Sequence, residues 1–243
     1  MPFTGSHPAA VLPLLGTPLP ASALVVGSVA PDLPYYLPLP SGPTHSALGV
    51  VTVDLLLGAA AWVLWHGVLA APALAAAPRV VRERLVHRVE PGLRSRLASP
   101  VPVLLVLLGL VVGAATHVGW DEFSHAGRWG TQHVPLLAAT WGGLPGYRWA
   151  QYASGLLGAG ALLAWLVREW RRTRPVPAPA GRHSGWVWGA LAGAGVVAGV
   201  PAALSADDDR AAAFSGATQG GRAVLVLAAV LALAWHLARL RRA

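Results

Sequence analysis

The sequence contains no cysteine and no lysine among its 243 residues. The first absence excludes disulfide scaffolds, thiolate metal sites and cysteine nucleophiles, and it leaves the redox compartment without a marker. The second means that arginine alone supplies the positive side of a formal charge of +8. Charge of either sign is scarce: 12% of residues are charged, against about 25% in an ordinary soluble domain. So few charges cannot cover a water-facing surface. What is abundant is apolar, 55% of the chain, and it comes in blocks long enough to cross about 30 Å of hydrocarbon, which takes roughly 20 helical residues.

Five blocks read as membrane helices: Ala47 to Leu69, Pro102 to Val118, Trp149 to Val167, Trp186 to Leu204 and Gly220 to Leu237. The fold class expected is therefore all-α, a polytopic membrane helix bundle. Arg79, Arg82, Arg84, Arg88, Arg94 and Arg96 separate the first two spans. Arg168, Arg171, Arg172, Arg174 and Arg182 separate the third and fourth, and Arg239, Arg241 and Arg242 close the chain. The other connections are poor in arginine, and one holds Asp207, Asp208 and Asp209. Positive residues stay in the cytoplasm, so one orientation fits all five spans, with the arginine loops and C-terminus inside. The expected location is a bacterial cytoplasmic (inner) membrane. This placement of arginine also accounts for the basic balance without nucleic acid as a partner, leaving membrane lipid. Arg174 to Gly181, with three prolines, reads as a flexible inner linker.

Ahead of the first span, Pro13, Gly16, Pro18 and Pro20 cut the chain into apolar pieces of about ten residues, each too short to cross a bilayer. Irregular backbone is not tolerated facing lipid, so this stretch is expected to form a re-entrant or interfacial hairpin packed on the other helices. A cleaved signal peptide is the competing reading, from the small residues Ala21, Ser22 and Ala23, but a basic n-region is missing.

Ionisable residues in or beside membrane helices are costly, so each is a functional candidate. His117, Asp121 and His125 recur every four residues, which on a helix keeps them on one face with a drift of about 40° per step. Imidazole and carboxylate suit zinc, manganese or iron without any cysteine, and the cofactor expected is a divalent ion such as zinc, manganese or magnesium. Interfacial residues bonded to water or headgroups would show the same spacing, so this run alone leaves both readings open. His7, Asp32 and His45 are expected on the same side as His117, given the hairpin. Asp54 lies nine residues beyond His45, which on a straight helix turns it about 180° away and suits a buried polar partner better than a ligand. His66 is expected near the inner end. Gly189 and Gly193, and the glycines at 155, 158 and 160, are expected to serve helix packing.

The opening Met1 to Pro13, the Gly27 to Tyr35 segment, the Thr44 to Gly49 segment and the His117 to His125 run together resemble an uncharacterised bacterial membrane family, domain of unknown function 4184, over most of the first 165 residues. More distantly, the chain is similar to the LexA-regulated, membrane-bound, metal-dependent hydrolase family. His7 matches that family's early His, Asp32 its first Asp, Thr44-His45-Ser46 the end of its third motif, and His117, Asp121, Ser124 and Gly127 its fourth. Pro34 replaces its second Asp, and Pro40 and Ser41 its His-Arg pair, while His125 offers a ligand the pattern lacks. The resemblance implies a family-like core over 1–165 carrying the His/Asp cluster; the arginines and prolines then read as a cytoplasmic linker over 166–185, and the last two apolar blocks as a C-terminal helix pair over 186–243.

The function expected is a membrane-embedded, metal-dependent hydrolase acting on a lipid or lipid-linked phosphoester at the outer face. Its divalent ion would be held by His7, Asp32, His45, His117, Asp121 and His125, with Asp121 and Glu122 as candidate catalytic groups. One alternative is a non-catalytic transporter or assembly factor with a structural or ion-binding cluster. Another is a lipid or isoprenoid tailoring enzyme using a magnesium diphosphate. A phosphatidic-acid type phosphatase is disfavoured: Pro40-Ser41-Gly42 and His117-x3-Asp121 resemble its motifs, but Val111 stands where its arginine belongs and no lysine exists to hold phosphate.

Overall fold

The computed structural model describes residues 4–37, 39, 42–89, 92–178 and 184–241. Pro40, Ser41, Gly181, Arg182 and Arg242, all used in the sequence reading, lie outside these residues. In chain order the main helices are α1 (Ala21–Val29), α2 (Ala47–Val51), α3 (Val53–Leu64), α4 (Ala70–Ala76), α5 (Arg79–Val89), α6 (Pro100–Ser124), α7 (Gly146–Arg172), α8 (Gly185–Leu204) and α9 (Asp209–Leu240). A 3-10 segment, Thr4–Leu14, precedes α1. Five stretches are long and apolar enough to cross a membrane: Val53–Ala76, Pro100–His133, Gly146–Arg172, Gly185–Leu204 and Asp209–Leu240. Leu156 is 77% exposed, Leu157 72% and Leu204 82%. Side chains that apolar stay out of water, and their exposure on spans of this length is what a lipid-facing surface requires. The protein is an all-α membrane helix bundle.

The chain divides into two compact units. The first comprises Met1–Pro34, Pro40–Trp62 and Ser99–Arg172. Its N-terminal part is the proline-broken hairpin, the 3-10 segment followed by α1, packed on α6. The packing is backbone to backbone. A Cβ on Gly113 would lie 2.3 Å from the Leu24 carbonyl oxygen, and one on Gly27 equally close to that of Leu110. Small residues let helix axes approach this closely where no water drives association. Val11, Leu24, Trp62, Leu110 and Ala114 are buried here, and the Trp62 indole donates to Ser22 Oγ at 3.0 Å.

Two expectations need correction. The first span is not one straight helix: Thr52 (φ −124°, ψ −92°) breaks it between α2 and α3, and a π turn over Trp65–Leu69 interrupts it again before α4. The half-turn offset between His45 and Asp54 therefore does not apply. The second span is longer than Pro102 to Val118, a continuous α6 of 25 residues, about 38 Å. It ends at Ser124, so His125 sits in extended backbone beyond the helix. Between α6 and α7 lies a two-residue hairpin loop, Gly142-Gly143, joining Thr140–Trp141 to Leu144–Pro145. Both glycines take positive φ (60° and 82°), the backbone that tight hairpin turns demand. Trp120, Trp129, Trp141 and Trp149 are exposed at this end of the unit, as interfacial aromatics are.

The second unit comprises Tyr35–Leu39, Val63–Ala98 and Thr173–Ala243. The arginine-rich connection is itself helical, α5, and the Val176 amide donates to the Glu83 carbonyl at 2.8 Å. The Asp207 to Asp209 run starts α9, with Asp208 capping the helix by accepting from the Ala211 amide at 2.7 Å. Gly189 and Gly193 have open space where a side chain would go. The close contact of α8 with α9 instead uses Gly195 and Gly199 against Gly216 and Gly220.

Candidate metal centre

Four pieces of chain in the first unit bring five of the predicted residues together. His7 comes from the 3-10 segment, Asp32 from the turn closing the hairpin, His45 from the loop before α2, and His117 with Asp121 from successive turns of α6. All five are 6% exposed or less. Two overlapping sets have ligand atoms within 4.8 Å of one another: His7, His117 and Asp121, and Asp32, His45 and His117. Charged and imidazole groups removed from water this completely must be paired, protonated or bound to an ion.

His117 is the hub. Its Nδ1 lies 2.7 Å from the Ser28 carbonyl oxygen. A carbonyl only accepts, so Nδ1 carries the proton, and in the neutral ring Nε2 is the bare lone pair. That Nε2 faces Asp32 Oδ1 and Asp121 Oδ2, each at 3.5 Å. It makes no hydrogen bond, and neither does the buried Asp121 Oδ1 beside it. A lone pair aimed at two carboxylates is repulsive unless a proton or cation lies among them. Fixing one imidazole nitrogen on a backbone carbonyl while the other looks into a carboxylate cluster is how metal-binding histidines are oriented.

The other ligand candidates complete the picture. The His7 ring stacks on His117 with centroids 3.7 Å apart, and its Nε2 is 3.8 Å from Asp121 Oδ1. Burial, then the neighbouring His117, lowers the His7 pKa to about 4 against the weaker opposite pull of Asp121 and Asp32. Burial thus favours the neutral His7 ring, which has a lone pair to offer. For Asp32, burial raises the pKa, but the His117 and His45 rings and the Thr4 hydroxyl outweigh it and hold the group well below the usual carboxylate range. Thr4 Oγ1 donates to Asp32 Oδ2 at 2.5 Å.

His45 reaches Asp32 Oδ1 at 3.1 Å and Asp121 Oδ2 at 3.6 Å through Nε2, with Nδ1 3.0 Å from Thr44 Oγ1. A hydroxyl both donates and accepts, so Thr44 supports either tautomer. His45 has φ +60°, unique among the described non-glycine residues, a conformation tolerated only where its surroundings impose it. Arg128 is part of those surroundings, donating from Nη1 to the His45 carbonyl at 2.8 Å.

Glu122 is not brought to the cluster. It accepts from the Trp129 amide at 2.8 Å and meets Arg128 at 3.5 Å, so it steadies the arginine that holds His45. His125 lies at the margin: Nδ1 is 3.3 Å from Asp121 Oδ1 and 3.2 Å from Ser124 Oγ, while Nε2 is 3.4 Å from the Gln151 amide nitrogen. Gln151 also donates to the Ser124 carbonyl, which fixes the amide's direction and makes His125 Nε2 the acceptor. Asp54 is fully buried. It approaches the His45 backbone amide without completing a hydrogen bond, and has His45, His117 and Asp32 as its electrostatic neighbours.

Thr4, Ser28, Arg128 and Gln151 are the supports that sequence reasoning missed. Thr4 stands one helical step before His7, and that spacing was the only readable signal. The rest depend on which helices touch. With two carboxylates and three imidazoles, the buried cluster could hold a divalent metal ion.

No curated protein and no solved structure matches the chain. The family pattern described as Domain of unknown function (DUF4184) matches residues 1–240, so it takes in all four cluster-bearing segments and all five membrane-length helices, and the chain belongs to that family.

Proposed function

We propose that the protein is a membrane-embedded, metal-dependent hydrolase whose active centre is the cluster of His7, Asp32, His45, His117 and Asp121. The observation that carries this reading is the position of His117 Nε2, aimed by the contact of Nδ1 with the Ser28 carbonyl and without a hydrogen bond between two buried carboxylates. Mixed imidazole and carboxylate donors suit zinc or manganese better than magnesium, which prefers oxygen and keeps its waters. When bound, such an ion supplies Lewis acidity and makes water ionisable near neutral pH. The residues supply the rest. Asp121, whose Oδ1 has no hydrogen bond, is placed to accept a proton, and His125 beside it orients that carboxylate. The substrate best matched to this setting is a lipid or lipid-linked phosphoester.

Arginine asymmetry supports a bacterial inner-membrane orientation with the cluster on the outer face and the C-terminus in the cytoplasm. Reporter fusions after Arg96 and after Asp209 are expected on opposite faces; finding both on one face would refute the orientation. The metal reading is tested by elemental analysis of purified protein. Wild type is expected to carry a stoichiometric divalent ion, and the His117→Ala, Asp121→Ala double variant is expected to carry none. Equal metal in both, or none in wild type, rejects it.

Asp54 favours a second reading, a non-catalytic ion-binding or transport protein, because a fully buried carboxyl group inside a span is a recurrent mark of an ion path. Ion flux into proteoliposomes that disappears in Asp54→Asn, with no hydrolysis of phosphoesters, would select it.

A further inference from the structure

A groove of about 450 Å³ runs between the 3-10 segment, α6 and α7, within the first unit. Its walls are small or apolar: Ala10, Ala153, Leu157, Gly158 and Ala161, with Trp120 along one side held by its indole donating to Ser154 Oγ at 3.1 Å. The same stretch of α7 carries Leu156 and Leu157, more than 70% exposed on a helix of membrane-spanning length. The open side of the groove therefore faces hydrocarbon. Its lining also includes Ser6 and His7, and His7 is 5% exposed with its ring stacked against His117.

We infer that this groove binds one hydrocarbon chain of a bilayer amphiphile whose anionic head sits at the His/Asp cluster. The inference rests on the metal-centre reading for the head and on the groove alone for the chain. Alanine walls leave space that bulkier residues would fill, and the volume lies in the range of small-molecule sites. A chain passing from lipid into this groove exchanges one apolar environment for another. It is steered by shape, and the head gains the attraction of a cation that a neutral groove does not offer. A water-soluble substrate has no use for an apolar wall that opens to lipid and adjoins a residue of the proposed centre.

The test uses the full-length protein in lipid nanodiscs, with Ala153→Trp and Ala161→Trp as groove-filling variants that leave every cluster residue in place. With cobalt(II) in the centre, hexadecyl phosphate is titrated against the cobalt visible spectrum, with butyl phosphate as the chainless control. Hexadecyl phosphate is expected to half-saturate wild type at a concentration at least tenfold below that for either variant, while butyl phosphate treats all three alike. Equal half-saturation by hexadecyl phosphate overturns the groove. A second measurement needs no metal: the motionally restricted spin-resonance signal of 16-doxylstearate should fall by about one lipid per chain in both variants, and an unchanged signal overturns the groove. A cobalt spectrum missing from wild type, with the spin-label difference present, removes the metal centre and leaves the chain site standing.

Discussion

Replacing Gly113 with alanine is expected to cost the protein its metal and much of its stability, while the same change at Gly119, six residues further along α6, is expected to cost neither. The contrast follows from what a single Cβ meets. At Gly119 nothing lies within 4 Å. At Gly113 the added carbon would be 2.3 Å from the Leu24 carbonyl oxygen and 2.7 Å from the Ser28 amide nitrogen, each well inside van der Waals contact and each backbone, which cannot turn aside. Alanine raises helix propensity at both positions, so propensity cannot explain a difference between them. The only relief at Gly113 is for α1 to move away from α6. That movement carries the Ser28 carbonyl off His117 Nδ1, four residues beyond Gly113 and one turn along the same face. Overpacking of a well-packed contact typically costs 1–3 kcal/mol, and a clash with fixed backbone on both sides belongs at or above the upper end, about 3 kcal/mol. Loss of a support to a metal-binding histidine lowers metal affinity by roughly 10- to 100-fold. Thermal unfolding and metal affinity should therefore fall together in Gly113→Ala. A variant that unfolds earlier yet binds metal as tightly as wild type would show that the α1 contact does not orient His117.

That contact also marks where the sequence was legible and where it was not. The spans could be read because hydrocarbon imposes a length and excludes charge. The pairing of His117 with Asp121 could be read because four residues make one helical turn. Helix packing was harder. Gly109 and Gly113 have the same four-residue spacing as Gly189 and Gly193, and only position in the folded chain decides that the first pair meets α1 while the second faces open space. His125 looked like a third member of the His117 stripe, but α6 ends at Ser124 and the next residue is extended, so its role follows from Gln151, on a different helix. The straight-helix premise relating His45 to Asp54 fails for the same reason, because Thr52 breaks the helix, while Asp54 is a buried polar residue at the His45 backbone as expected. Periodicity describes what lies within one helix, and it is silent about ends, breaks and neighbours. The five residues of the cluster come from four segments, and their convergence required the hairpin to fold back on α6.

Removing the ion should lower the melting temperature of wild type by about 10 °C and leave the His117→Ala, Asp121→Ala variant unmoved. An ion at a thousand times its dissociation constant stabilises the state that binds it by about 4.1 kcal/mol. In a chain of this size each kcal/mol is worth about 2–4 °C. The sharper comparison is with Asp121→Asn. Asp32 Oδ1 and Asp121 Oδ2 are each 3.5 Å from His117 Nε2 and so at most 7.0 Å apart. Two unit charges at about 7 Å repel by about 2 kcal/mol at an effective dielectric constant of 20. With the ion present this repulsion is more than offset, and Asp121→Asn, lacking a ligand, should melt below wild type. After chelation the ion no longer offsets this repulsion, and the His45 ring with a proton taken up on His117 offsets only part of it, so the gap between the asparagine variant and wild type should narrow. If a proton on His117 Nε2 were the resident cation instead, the two carboxylates would be ion-paired without metal. Chelation would then change nothing, and Asp121→Asn would stay below wild type in both conditions because it breaks a buried pair. A bound ion thus predicts a gap that narrows on chelation and a proton predicts one that does not change, and melting curves of the two proteins with and without the chelator decide between them.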